Sequence, residues 1–394
     1  MKTRACPVCD NTKNEILFHQ SFSGFSGGNL LNSYDVTSCE VCGFCFADKI
    51  PEQKEFDAYY RELSKYENYS IELYESPYDR NRFSVMVNYL KKYLRHPDEH
   101  IVEVGSATGF LLSMIKKEGY SNVTGIDPSP ACSETARIHY QIKVLTNTLS
   151  TIQLESNSVD FLILVGVLEH VKDLDSSLKK LRDLLAPGGK FFIAVPDASE
   201  YYKGLDAPFQ EFSVEHINFF GPMSLENLMN KNGFSEIDHS QTLIEVNHNT
   251  FTPVLLSIFE KSAAASDPKK INPDTESKKN LITYIKSCEK KDEYLNEIID
   301  KIVLKKTPII VWGTGAQTLR LLANSNLKNA NIKAFVDSNP KYQGKTLNEV
   351  SIISPESLRT RSEAILISTR AYQDEIESNI KNLLKLKNDV IKLY

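Results

Sequence analysis

No apolar run in the sequence is long enough to cross a bilayer: Phe161 to Leu168 is among the longest, far short of the roughly 20 residues required. Membrane insertion is therefore not expected. An excess of positive charge is also missing. Lys and Arg number 46 against 51 Asp and Glu, a net charge of -5, so no general field gathers phosphate backbones and nucleic acid is not an expected partner. The opening Met1-Lys-Thr-Arg-Ala-Cys6 lacks the apolar stretch of a secretory signal, and a cytoplasmic location is expected. Neither a sequence repeat nor a low-complexity tract is visible.

The composition is that of a globular protein, with 41% hydrophobic and 25% charged residues. At 394 residues the chain is too long for one ordinary core, so two or three domains are expected. Five of the seven cysteines fall within the first 45 residues, and in a reducing compartment such clustering points to metal before disulfide. Cys6 and Cys9 form one C-x2-C knuckle, Cys39 and Cys42 another. Four thiolates in two such pairs suit a tetrahedral zinc ion whose closed shell leaves no catalytic position, so the zinc would be structural. Cys45 extends the second knuckle and keeps an iron–sulfur centre open as an alternative, while His19 is a spare nitrogen ligand.

The pattern divides the chain into a zinc-binding module (1–55), a cofactor domain with a helical lead-in (56–260), a connector (261–280) and a C-terminal unit (281–394). Periodicity through Phe83, Val87, Leu90 and Leu94 predicts helix in the lead-in. Strands are predicted at Ile101–Val104, Val123–Ile126, Phe161–Val165 and Phe191–Val195, alternating with helices, which implies a mostly parallel covered sheet. After a charged helix, roughly Asn280 to Leu304, a second βαβ pattern runs through Ile309–Trp312, Phe335–Val336 and Ile365–Ser368.

Glu103-Val-Gly-Ser-Ala-Thr-Gly109 joins an apolar strand to the helix predicted from Phe110 to Lys117. Gly105 and Gly109 let a backbone approach a ligand closely there. Asp127 ends the next strand, 18 residues beyond Gly109, where a carboxylate accepts hydrogen bonds from both hydroxyls of a ribose. The combination selects a nucleoside ligand. A nicotinamide cofactor would use a similar loop, but its third glycine is missing here.

Asn147-Thr-Leu149, Ser158-Val-Asp-Phe161, Val167-Leu-Glu-His-Val171 and Leu185-Ala-Pro-Gly-Gly-Lys190 follow in an order that resembles class I S-adenosylmethionine-dependent methyltransferases. The resemblance implies an α/β, Rossmann-like core. It implies S-adenosylmethionine as cofactor, with Glu103 near its methionine part, Thr148 and Leu149 by its adenine, and Ser106 and Gly166 among the further contacts. Many members of the family also close the fourth strand with Leu-Glu-His-Val, here ending in His170 and Val171, without using it in catalysis.

Zinc knuckles, this core, the segment Glu211-Phe-Ser-Val-Glu-His-Ile-Asn-Phe-Phe220 and a C-terminal Rossmann-like domain together resemble the C-methyltransferases of nucleotide-linked deoxysugars. In that family a Glu-His pair, matching Glu215 and His216, serves deprotonation beside a keto group, and an upstream tyrosine matches Tyr78. Where the family commonly has a tyrosine two residues before the glutamate, this chain has Ser213. The expected substrate is a small molecule, a nucleotide-activated sugar or related polysaccharide precursor. His216 is the expected base, its imidazole suited to proton removal near neutral pH, with Glu215 orienting it or binding substrate. Methylation of oxygen or nitrogen on another small molecule is the alternative. Trp312-Gly-Thr-Gly315, with Asp337 22 residues beyond Gly315, is a second, two-glycine fingerprint. It would hold part of the substrate nucleotide, cover the active site without a ligand, or serve a nicotinamide-dependent oxidoreductase; a zinc-bearing assembly factor without catalysis is a further reading.

Overall fold

The computed structural model describes residues 3–25, 30–62, 75–204, 206–262 and 271–394. The N-terminal part is an antiparallel meander of β1 (Asn14–Ser21), β2 (Ser33–Cys39) and β3 (Cys45–Asp48). The first knuckle precedes β1, and the second lies at the end of β2 and in the turn before β3. Helices α1 (Gln53–Glu62) and α2 (Pro77–Leu90) follow. Pro77 opens α2, where its missing N–H costs nothing, and the Ser76 hydroxyl accepts from the Asp79 N–H to cap it.

The central sheet is built from β4 (Ile101–Val104), β5 (Val123–Asp127), β6 (Lys143–Thr146), β7 (Val159–Val165) and β8 (Leu185–Pro196), paired in parallel. Their connections carry α3 (Phe110–Lys117), α4 (Pro130–Thr135) and α5 (Leu174–Leu184). All four residues of β4 are buried, Glu103 among its three apolar residues, as in a strand covered on both faces. Beyond β8 come β9 (Asn218–Phe219), α6 (Pro222–Lys231), β10 (Phe234–Asn247) and β11 (Thr250–Lys261). The order is β10-β11-β8-β7-β4-β5-β6, with β11 antiparallel to both neighbours. The β10–β11 hairpin and β6 are not among the strands the sequence pattern predicts, because β10 mixes polar and apolar residues on a half-exposed edge. The predicted strand at Phe191–Val195 lies inside a longer β8, whose ladder with β7 is interrupted around Pro187, Gly188 and Gly189.

Helix α7 (Thr275–Lys305) starts inside the expected connector, five residues before Asn280. The Asp274 carboxylate accepts from the Ser277 N–H at 2.9 Å and caps it there. Part of the connector, 263–270, lies outside the described residues. The C-terminal unit holds β12 (Ile309–Trp312), α8 (Ala316–Asn324), β13 (Ile332–Val336), β14 (Thr346–Leu347), β15 (Val350–Ile353), β16 (Ala364–Ile367), α9 (Gln373–Ser378) and β17 (Val390–Lys392). Its sheet, ordered β14-β15-β13-β12-β16-β17, is parallel except for β14.

The N-terminal part is fused to both larger units. Val36 and Phe22 share one core with Phe212 and Phe219, with Tyr284 and Ile299 of α7 and with Val311 of β12. The knuckle cysteines, Phe44 and Phe46 share another with Val102, Leu162 and Phe220 around the central sheet. Strand β9 completes the link by pairing with β3, Cys45 opposite Phe219.

Candidate functional site

In a doubly wound sheet the ligand crevice lies beyond the carboxyl ends of the strands, where the strand order reverses. Here that point falls between β4 and β7, and a cleft of ≈ 1070 Å³, counting its open mouth, occupies it. Gly105, Asp127, Thr148, Leu149 and Gly166 line the cleft. The bend after β4 is pinned by the Gly105 N–H donating to the Ile126 carbonyl at 2.7 Å. Gly105 has φ +78, and a Cβ there would lie 2.5 Å from Val167 Cγ2, so the neighbouring loop, besides any ligand, demands glycine. The Asp127 carboxylate accepts from the Ala107 N–H at 2.8 Å and the Ser129 N–H at 2.9 Å, which holds it at the rim.

Glu103, Ser106 and Gly109 are buried and are not among the lining residues. Glu103 Oε2 and Ser106 Oγ are buried without a hydrogen-bond partner, a demand that a bound polar group would meet. Burial, reinforced by Asp127, pushes the Glu103 carboxyl up to about 8. The arrangement fits a ligand that carries a ribose and a cationic or donor-rich end.

One side of the mouth is formed by a helix that the sequence does not single out. Gln53, Asp57 and Tyr60 of α1 line the cleft opposite the sheet. Gln53 Oε1 accepts from the Lys172 N–H at 2.8 Å and the Asp173 N–H at 3.1 Å, and Asp57 accepts from the Ser150 hydroxyl at 3.2 Å. Beside Tyr60, Tyr59 donates its hydroxyl to Glu215 Oε1 at 3.0 Å. Burial and the charge of Glu215 push both phenols upward, so they remain donors near neutral pH.

Glu215 and His170 line the mouth. His216 packs against His170, ring centroids 5.0 Å apart, and is not itself part of the cleft wall. Ser213 Oγ accepts from the Glu215 and His216 N–H groups, each at 3.2 Å, and so shapes the turn that presents them. Tyr78, in the first turn of α2, is not among the lining residues. The loop after β7 is fixed against the 215–218 segment from several sides. The Asn218 amide donates to the Leu168 and Val171 carbonyls, the Ile217 N–H donates to the Glu169 carbonyl at 2.8 Å, and the Arg4 guanidinium donates to the Lys172 carbonyl at 3.0 Å.

The Sγ atoms of Cys6, Cys9, Cys39 and Cys42 lie within 4.8 Å of one another. Cys6 and Cys42 are 3.4 Å apart, as are Cys9 and Cys39. Sulfurs around one tetrahedral zinc stand about 3.8 Å apart, so this all-thiol set fits such an ion with small adjustments. Cys45 is outside the cluster: its thiol points to the Gly43 carbonyl and is buried in the other core. His19 is instead held by Asp35 at 2.6 Å.

A second cavity, ≈ 1120 Å³ with its opening, lies between the C-terminal unit and the 206–213 segment. Gln317, Arg320 and Arg370 line it, with Glu211 and Ser213. Arg320 is paired to Asp292 and Arg370 to Asp206. Gly313, Gly315 and Asp337 do not line it, and the Asp337 carboxylate accepts from the Thr314 and Asn339 N–H groups of its own loops.

The family model described as "Methyltransferase domain" matches residues 78–239, and one described as "C2185-like, N-terminal" matches 305–391. The chain is similar to the reducing polyketide synthase Preu2 of Preussia isomera, 32% identical over 105 residues, which are 24% of this chain and 4% of that protein. It is similar to the human mitochondrial ubiquinone biosynthesis O-methyltransferase, 28% identical over 169 residues, 39% of this chain and 44% of that one. The chain thus spans less than half the length of either relative. Among solved structures it is similar to the 1,6-didemethyltoxoflavin-N1-methyltransferase of Burkholderia thailandensis, at 17% identity and a TM-score of 0.41, covering 58% of this chain and 96% of that one. With the family match laid over the sheet whose crevice has just been described, residues 78–239 of this chain form a class I S-adenosylmethionine-dependent methyltransferase domain.

Proposed function

We propose that the protein transfers the methyl group of S-adenosylmethionine to a nucleotide-activated sugar or related polysaccharide precursor, with carbon as the acceptor atom. The observation that carries this is the juxtaposition of the Gly105–Asp127 crevice with a mouth of ionisable side chains, Tyr60, His170 and Glu215. Ribose hydroxyls would bind Asp127, the adenine would lie by Thr148 and Leu149, and the methionine end would reach toward Glu103. Transfer from a sulfonium is an in-line displacement: the new bond to methyl forms as the sulfur–methyl bond breaks, leaving S-adenosylhomocysteine, so the protein's main task is alignment. A carbon acceptor beside a ketone must also lose a proton. His216 serves as the base in this reading, Glu215 orients the acceptor, and Tyr78 belongs to the same acceptor side.

The second cavity supports the nucleotide-sugar part of the reading. It shares the 211–213 stretch with the segment that presents Glu215, and it carries Arg320 and Arg370, cations of the kind that receive phosphates when a ligand displaces Asp292 and Asp206. The module at residues 1–55 holds a structural zinc through Cys6, Cys9, Cys39 and Cys42, and residues 281–394 help to hold the substrate.

Methylation of oxygen is a second reading, favoured by the likeness to a ubiquinone biosynthesis O-methyltransferase. Incubation of the protein with isotope-labelled cofactor and a set of nucleotide-sugars, followed by mass spectrometry, tests both. A labelled methyl on carbon is expected; label on oxygen would favour the second reading, and label on none of the sugars would overturn the substrate class.

A further inference from the structure

Glu169, His170 and His216 bring one carboxylate oxygen and two imidazole nitrogens within 4.8 Å of one another, and of the three His170 lines the cleft. They come from two segments, the loop after β7 and the stretch before β9, which Asn218 ties together. The tautomer of His170 follows from its surroundings. Its Nδ1 lies 3.1 Å from the Glu215 carbonyl oxygen, which can only accept, so Nδ1 carries the hydrogen. The other nitrogen, Nε2, stands 3.8 Å from Glu169 Oε1. That is too long for a hydrogen bond, yet it is a spacing that two ligands of one cation take.

The carboxylate is almost wholly buried, 3% exposed, and both imidazoles are partly buried. An imidazole whose far nitrogen is held by a backbone carbonyl, with its near nitrogen facing a buried carboxylate, has the orientation usual for a metal-binding histidine. Ligand atoms around one such ion lie at most about 4.3 Å apart, so the three groups, all within 4.8 Å, need to close by no more than about half an ångström.

We infer that Glu169, His170 and His216 bind a divalent cation that receives an oxygen of the methyl acceptor. Two nitrogens and one carboxylate oxygen leave coordination positions free, and His170 lies on the wall of the cleft where an acceptor would sit. A keto or hydroxyl oxygen bound there is polarised, and an adjacent proton becomes more acidic. The inference rests on the reading of this mouth as the acceptor site and changes one assignment within it. With its lone pair on a cation, His216 is a ligand, and the Glu215 carboxylate, which also lines the mouth, takes the proton.

Mn2+ titration followed by electron paramagnetic resonance tests this on the whole protein, purified with the metal content of its cysteine cluster intact. One Mn2+ site per chain is expected, with affinity at least about tenfold weaker in both Glu169→Gln and His216→Ala. Calorimetry with S-adenosylhomocysteine is run on the same samples to show that the variants retain their fold. Absence of a Mn2+ site in the wild type, or equal Mn2+ affinity in wild type and Glu169→Gln, overturns the cation site. If S-adenosylhomocysteine binds in that case, the cation site alone falls and the methyl-transfer reading stands; if the wild type binds neither, both fall.

Discussion

The Asn218 side-chain amide donates to the Leu168 carbonyl oxygen across 2.8 Å, and its second hydrogen goes to the Val171 carbonyl at 2.7 Å. One buried residue thereby fixes the loop that carries Glu169 and His170 against the segment that carries Glu215 and His216. Asn218→Ala takes this donor from the buried Val171 carbonyl and leaves the Leu168 carbonyl only the Val171 N–H at 3.3 Å, a loss of about 1–3 kcal/mol. The expected outcome is turnover reduced by about tenfold or more, with the affinity for S-adenosylhomocysteine changed little. Steady-state kinetics beside calorimetry check it, and an equal loss in both would mean that the clamp serves the whole domain rather than the mouth.

Gly105 is held at φ +78 with Val167 2.5 Å from where a Cβ would stand. Gly105→Val therefore meets both backbone strain and a collision, together of the order of a few kcal/mol. Loss of measurable cofactor binding and a lower melting temperature are expected. Asp127→Ala should instead keep most of the fold while weakening cofactor binding by about tenfold or more, since it removes a charged acceptor from the rim.

Glu103 has a folded-state value of about 8 against an ordinary 4.5, so the folded protein binds more protons across that window. Stability relative to the unfolded chain must then fall as pH rises from 4.5 toward 8, and Glu103→Gln should remove that cost, gaining up to a few kcal/mol near pH 8. Denaturant melts of both proteins at pH 5 and pH 8 check this. A cationic cofactor end beside Glu103 favours its ionised form, so binding should release a proton and tighten with rising pH below 8. Calorimetry in two buffers of different ionisation heat measures that proton, which should vanish in the glutamine variant.

His216→Ala is expected to lower turnover by about a hundredfold or more, the size of a lost general base, and a comparable loss follows if the imidazole holds a cation that polarises the acceptor. Unchanged turnover with the correct nucleotide-sugar would leave His216 with a packing role against His170.

Elemental analysis is expected to find one zinc per chain in the cysteine cluster. Because the four cysteines pack with Phe44, Phe46 and the central sheet, stripping the ion with a strong chelator, or Cys39→Ser, should destabilise the methyltransferase domain as well as the module. Thermal unfolding reads the effect. Iron with visible absorbance would replace zinc by the alternative centre.

Local demands of the backbone are legible along the chain. A left-handed bend favours glycine, a strand buried on both faces is mostly apolar, and a helix start favours a cap or proline. Gly105, Ile101–Val104 and Phe110–Lys117 accordingly stand in the structure where the sequence pattern puts them. The spacing of Cys6, Cys9, Cys39 and Cys42 is likewise a local signature of two knuckles, although only the folded chain brings their sulfurs into one cluster and turns Cys45 away. What no local pattern carries is contact across long separations in sequence. Tyr59 meets Glu215 across 156 residues, His170 meets Glu215 across 45, and Arg4 reaches Lys172 across 168. These pairs impose no period and no special dihedral on the residues that make them, so the placing of α1 along the cleft and the grouping of Glu169, His170 and His216 were decided by tertiary packing alone.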